Sequence, residues 1–186
     1  EILGGGTLLA VSDSRGGIYC ADGIDPKAIV KHKLETGRVA DFPGTKPISN
    51  EGLVELEVDV LYPAALEGII TGANAGNIKA GIMCELANGP TTPEADKILH
   101  EKGVFVLPDF LANAGGVTVS YFEQVQNTYN YYWSLEDVYQ QLDRKMTDAF
   151  DAVYKMQQST KTHMRLAAYM VSVSRVAEAC ALRGWV

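Results

Sequence analysis

The sequence predicts an α/β fold, a doubly wound parallel sheet followed by carboxy-terminal helices. Two compositional halves point to it, meeting at about residue 110. The first alternates short apolar runs with Gly, Pro and Asp punctuation, which is how buried parallel strands read. The second carries long segments whose apolar residues recur at helical spacing. Between the runs lie segments with helix start and stop signals. Parallel neighbours need such crossovers, because one strand ends at the edge opposite to where the next begins.

Taken in chain order, TLLAVSD (Thr7 to Asp13) is the first predicted strand. A helix follows in DPKAIVKHKLETG, with Asp25 placed to cap it and Pro26 to open it. VDVLYPA (Val58 to Ala64) and AGIMCE (Ala80 to Glu85) are the next two strands. TTPEADKILHEKG is the second crossover helix, started by Thr91 or Thr92 before Pro93 and stopped by Gly103. VFVLPD (Val104 to Asp109) is the fourth strand. Three helices complete the chain: Gly115 to about Tyr132, Leu135 to about Gln157, and about Met164 to Arg183 with Gly184 as its stop. In the middle one Val138, Leu142, Met146, Ala149, Phe150 and Val153 form one apolar stripe. The alternation in the first half is Rossmann-like.

Composition narrows the classes of function. With 47% hydrophobic and 21% charged residues, the chain has enough apolar side chain to offset the entropy lost on ordering. A net charge of −7 repels phosphodiester backbones over most of the surface, which disfavours nucleic-acid binding. No run approaches the roughly 20 apolar residues of a membrane helix, and the amino-terminal segment lacks the basic lead of a secretory signal. Cys20, Cys84 and Cys180 are too widely spaced for a CxxC pair and make an odd set, so a reducing, cytoplasmic setting is expected. His32, His100 and His163 are too scattered to suggest a metal, and none is expected. The aromatic run NTYNYYW (Asn127 to Trp133) reads as core or subunit-contact packing and not as a base-stacking platform.

Asp13 ends the first predicted strand and precedes Ser14, Arg15, Gly16 and Gly17, where dinucleotide-binding domains place the acid that bonds an adenosine ribose. Ser14 and Arg15 suit a 2′-phosphate equally well, and DSRGG can also be a simple turn. Asn88, Gly89 and Pro90 put an amide and a tight turn at the carboxyl edge of the sheet, either for a ribose or carboxamide or for nearby backbone. Asn113 can cap a helix whose first turn contains Gly115 and Gly116, small enough for close approach of a ligand. Asn113, Val117, Ser120 and Gln124 share one side of that helix; in the plainer reading Ser120 bonds back to the preceding turn. A GxGxxG loop between a strand and a helix is missing. Gly4, Gly5 and Gly6 precede the first strand and read as a helix end, so the first strand and its phosphate loop are expected upstream of Glu1.

Five segments in one order, VSDSRGGIY, YPAALEG, ANGPTTPEAD, NAGGVTVSYFEQVQN and HMRLAAYMVSVSRVAEA with the terminal RGWV, resemble the glutamate dehydrogenase family (Glu/Leu/Phe/Val dehydrogenases) across essentially the whole chain. The resemblance implies a carboxy-terminal, coenzyme-binding portion of an enzyme that uses NAD or NADP to convert L-glutamate to 2-oxoglutarate and ammonia. It implies residues 1–132 as a partial NAD(P)-binding domain, and 133–186 as helices returning toward a substrate domain that this chain lacks. Asp13 and Ser14 would sit at the adenosine ribose, Ala64 and Ala65 would line the coenzyme cleft, and Asn88 and Asn113 would approach the nicotinamide ribose. Val117 and Ser120 would face the substrate side chain, where a hydroxyl suits a γ-carboxylate better than an apolar pocket does. The family's catalytic lysine and aspartate belong to the amino-terminal portion, so no catalytic residue is expected here and the chain alone should not turn over. A cytoplasmic homo-hexameric parent is expected. The alternatives are a leucine- or phenylalanine-type dehydrogenase fragment, and a non-catalytic nucleotide-binding or oligomer-forming module.

Overall fold

A computed structural model describes residues 5–185. Of the glycines read as a helix end, Gly4 lies outside the described residues; Gly5 adopts a left-handed φ of 86°. The chain divides into two compact units, residues 1–58 with 77–79, and residues 59–76 with 80–186.

The first unit is an antiparallel meander with two short helices. Strands β1 (Ala10–Asp13), β2 (Gly16–Tyr19) and β3 (Lys46–Ile48) pair in the order β1-β2-β3. This corrects the expectation that Thr7 to Asp13 forms a strand of the parallel sheet: β1 pairs antiparallel with β2. The physical reason is local. A two-residue loop, Ser14-Arg15, joins Asp13 to Gly16, and Gly16 takes a φ of 124° that a side chain would resist. Helix α1 (Pro26–Thr36) forms as its punctuation predicts: the Asp25 carboxylate accepts from the Lys27 and Ala28 amides, and Gly37 closes the helix in the left-handed region. A short helix α2 (Asn50–Val54) starts at Ser49. Ile18, Ile24, Ile29 and Val39 are the buried centre of this unit, with Leu8, Val11, Cys20 and Phe42 packed around them.

The second unit holds a parallel sheet of β4 (Val60–Leu61), β5 (Ile82–Cys84) and β6 (Phe105–Leu107), in that order. Helix α3 (Pro93–Glu101) crosses from β5 to β6, capped by the Thr92 hydroxyl. The helices that follow are α4 (Asp109–Ala112), α5 (Gly115–Tyr129), α6 (Leu135–Thr160) and α7 (Met164–Leu182). Parallel sheet, crossover helix and closing helices are the fold class the sequence predicts. Helix α5 stops three residues before the expected Tyr132, because Asn130 turns left-handed with its amide bonded back to Asn127 and Gln126. Helix α6 starts on a Ser134–Asp137 capping box. Its predicted stripe is buried at Val153, which packs with Leu111, Met164, Ala167 and Ala168.

Candidate functional site

The carboxyl ends of three parallel strands bring three loops together in the second unit. The Pro63 carbonyl, in the loop after β4, accepts from the Leu86 and Ala87 amides of the loop after β5. Glu85 donates its amide to the Leu107 carbonyl at the end of β6. Ala64 and Ala65, both exposed, therefore sit in a loop tied to the one that carries Asn88. Asn88 and Asn113 meet directly: the Asn113 Nδ2 donates to Asn88 Oδ1 at 2.7 Å and also reaches the Leu86 carbonyl at 3.4 Å.

Asn113 thus has a different job from the predicted one. It does not cap α5; that position falls to Ala114, which offers no side-chain bond, and Asn113 closes α4 instead. The correction follows from the backbone. Ala114 is already in the helical region, so α4 and α5 follow each other almost without a break, and the Asn113 side chain is engaged across the loops and not along the helix. Ser120 makes the plainer of its two predicted bonds, donating to the Gly116 carbonyl at 3.2 Å, and Val117 is exposed. A Cβ built on Gly115 or Gly116 meets nothing within 4 Å, so open space lies beside the start of α5.

Beneath these loops is a buried charge cluster that the sequence reading missed. Arg165, in the first turn of α7, gives Nη2 to both Glu85 oxygens at 2.7 and 2.8 Å, Nε to Asp96 Oδ2 at 2.7 Å and Nη1 to Asp109 Oδ1 at 3.0 Å. Glu85 is completely buried and Asp96 7% exposed. Burial works against the charge of Arg165, but its bonds to Asp96 and Glu85 outweigh that and hold it above the ordinary arginine value. Asp109 Oδ2 accepts from the Gly89 amide at 2.8 Å, and Glu85 Oε2 from the Asp109 amide at 2.9 Å. His163, at the start of α7, lies 3.7 Å from Asp96. Burial lowers its pKa most, the neighbouring His100 and Arg165 lower it further, and Asp96 opposes them. The only sequence signal for this cluster was an acid directly after each of two apolar runs, AGIMCE and VFVLPD.

Asp13 and Ser14 belong to the first unit. Asp13 Oδ1 accepts from the Arg15 amide at 2.9 Å, while Oδ2 accepts from Lys33 Nζ and the Val39 amide at 3.0 Å each. The Arg15 amide does most to hold the Asp13 carboxyl below the usual carboxylate range; partial burial opposes it, and Lys33 and Val39 add to it. Ser14 is exposed in the hairpin turn. Among the described residues no group of three or more His, Cys, Asp or Glu side chains is arranged to hold a metal. No helix among them is long and apolar enough to cross a membrane.

The sequence profile of the Glutamate/Leucine/Phenylalanine/Valine dehydrogenase family matches residues 2–184. A glutamate dehydrogenase of Thermotoga maritima is 51% identical over 180 residues, covering 97% of this chain and 43% of that protein. An NAD-specific glutamate dehydrogenase of Clostridioides difficile is 49% identical over 186 residues, covering 97% and 44%. Among solved structures, the glutamate dehydrogenase of Peptoniphilus asaccharolyticus superposes with a TM-score of 0.80 at 36% identity, over 98% of this chain and 42% of that one. The hetero-hexameric glutamate dehydrogenase of Thermus thermophilus, in a leucine-bound form, gives 0.87 at 32% identity, over 95% and 42%. The chain belongs to this dehydrogenase family and spans less than half the length of these relatives.

Proposed function

We propose, from that membership, that the chain is the coenzyme-binding part of an NAD(P)-dependent glutamate dehydrogenase. The whole protein then deaminates L-glutamate oxidatively to 2-oxoglutarate and ammonia, with hydride passing between the substrate α-carbon and the nicotinamide. The observation that carries the reading is the Asn113–Asn88 bond at the carboxyl edge of the parallel sheet, where ligands bind in such folds. That bond uses the amide of Asn113 and the carbonyl of Asn88. The pair keeps the amide of Asn88 and the carbonyl of Asn113 for a ligand, one donor and one acceptor, which matches a carboxamide or a ribose diol.

Ala64 and Ala65 present small side chains in the loop tied to Asn88, in keeping with a cleft wall. Asp13, held ionised, suits a ribose hydroxyl and repels a 2′-phosphate, which favours NAD over NADP with Ser14 beside it. Val117 and Ser120 face the substrate side chain in this reading, with the Ser120 hydroxyl turning its one proton from the Gly116 carbonyl to the γ-carboxylate. When bound, the nicotinamide accepts or returns the hydride; the residues of this chain orient it and leave proton transfer to groups outside it. Residues 1–132 serve as the coenzyme domain and 133–186 as its helical extension. The parent assembles as a hexamer and works in the cytoplasm, a setting consistent with three free cysteines. Exposed Tyr129, Tyr131 and Tyr132 offer surface for contacts between subunits. Calorimetric titration of the full-length protein with NADH and NADPH tests the proposal. Saturable NADH binding, tighter than that of NADPH, is expected, and failure to bind either refutes it.

A further inference from the structure

We propose that Asp109, held by Arg165, is a positioning residue that sets the asparagine pair for the nicotinamide end of the coenzyme; the inference rests on the coenzyme reading above. The bonds run without interruption. From α7, Arg165 holds Asp109 at 3.0 Å; Asp109 Oδ2 holds the Gly89 amide at 2.8 Å, and its carbonyl accepts the Asn113 amide at 2.8 Å. Gly89 is the chain neighbour of Asn88, so each asparagine is one backbone step or one hydrogen bond from the same aspartate. Gly89 adopts a left-handed φ of 55°, and its carbonyl accepts from the Gly68 amide at 2.9 Å, which fixes the turn from its other side.

The chemistry requires a carboxylate at residue 109. Both partners of the Asp109 side chain, the Gly89 amide and the Arg165 guanidinium, are donors, so an asparagine there must point its own amide at one of them. The planar fork of Arg165 serves Glu85, Asp96 and Asp109 along three directions at once, which an ammonium does not reproduce. Gathering three acids around one partly buried cation is a costly way to hold a fold together, since well-packed apolar side chains often do as well. What apolar packing cannot supply is a directed bond to the Gly89 amide.

A double-mutant cycle on the full-length protein tests the assignment, with NADH affinity as the readout. Asp109→Asn is expected to weaken NADH binding about tenfold, equivalent to about 1.4 kcal/mol. In an Asn88→Ala, Asn113→Ala background the same change is expected to have almost no further effect, because the residues it acts through are gone. Ser134→Ala, which removes the α6 capping box by taking away the hydroxyl bonded to Asp137, should lower stability and leave NADH affinity unchanged. Arg165→Lys supplies a second entry to the cycle, and should reproduce a weaker form of the effect if Asp109→Asn does not fold. Unchanged NADH affinity in Asp109→Asn, or a loss that adds in full to that of the double alanine background, overturns the inference alone. A wild-type protein that does not bind NADH overturns the coenzyme reading and this inference together.

Discussion

Asp13 and Asp109 both stand at or just past the end of a β-strand, yet their bonds reach different distances along the chain. Asp13 takes the Arg15 amide two residues on, Lys33 twenty on and the Val39 amide twenty-six on. Asp109 takes the Gly89 amide twenty residues back and Arg165 fifty-six on, and Arg165 in turn reaches Glu85 across eighty residues. The first unit is a meander in which Asp13 is satisfied within one stretch of chain. The second satisfies a buried charge cluster with groups from α3, the ends of β5 and β6, and α7. Local closure makes the first unit's structure depend on turn chemistry; long-range closure makes the second unit's loops depend on a helix far away in sequence.

The comparison breaks most readily at Arg165. Arg165→Met leaves buried Glu85 and Asp96 without their cation, and the second unit should lose about 3–5 kcal/mol in urea unfolding followed by Trp133 and Trp185 fluorescence. A loss below about 1 kcal/mol would show that the cluster contributes no more than a surface pair. The corresponding weak point of the first unit is apolar. Ile18→Ala empties a centre that is 2% exposed and should cost about 3 kcal/mol, read from amide exchange at Gly17 and Val39. Thr92→Ala removes the cap of the crossover helix α3, and a loss of about 1 kcal/mol in the same urea experiment is expected.

Acid sharpens the contrast with the smallest effects. The pKa of His163 is lowered from 6.5 by burial, so the unfolded chain binds the proton more readily. Its contribution is present above 6.5 and fades as pH falls through the folded value; His163→Gln should flatten that slope. His163 borders a cavity with Asp96, His100, Gln157 and Arg165, so water can deliver the proton. Asp13 is lowered from 3.8, mainly by the Arg15 amide, so its contribution is present above 3.8 and fades only below it. Asp13→Asn should reduce the acid dependence of the first unit and leave the part due to Asp25, whose carboxyl is held below 3.8 mainly by the Ala28 amide. Melts from about pH 8 to about pH 3 should therefore show the second unit weakening first.

How much could be read in advance follows the same division. The start of α1 was legible to the residue and that of α3 to a choice of Thr91 or Thr92, because Asp25 and Thr92 cap amides within one turn and Pro26 and Pro93 open the helices they begin. The strands of the parallel sheet were legible as apolar runs, and the placement of Asn88 past β5 followed from them. The pairing of β1 was not: an apolar run ending in Asp13 reads alike in either kind of sheet, and the two-residue turn decided it. Asn88 and Asn113 were expected near one another and do meet, but Asn113 was given the wrong bond, a helix cap, since its partner Asn88 lies twenty-five residues away. Nothing near Arg165 in the chain announces its three acids.

By itself, then, the sequence determined much that depends on near neighbours: the capped starts of α1 and α3, apolar periodicity and the segments shared with a dehydrogenase family. The tertiary structure alone decided that Asn88 and Asn113 bond each other, and that Arg165 gathers Glu85, Asp96 and Asp109. The reason is physical. A cap or a turn is a short-range bond whose partners the chain itself holds close, whereas a buried ion cluster exists only after folding has brought distant groups together and removed the water between them.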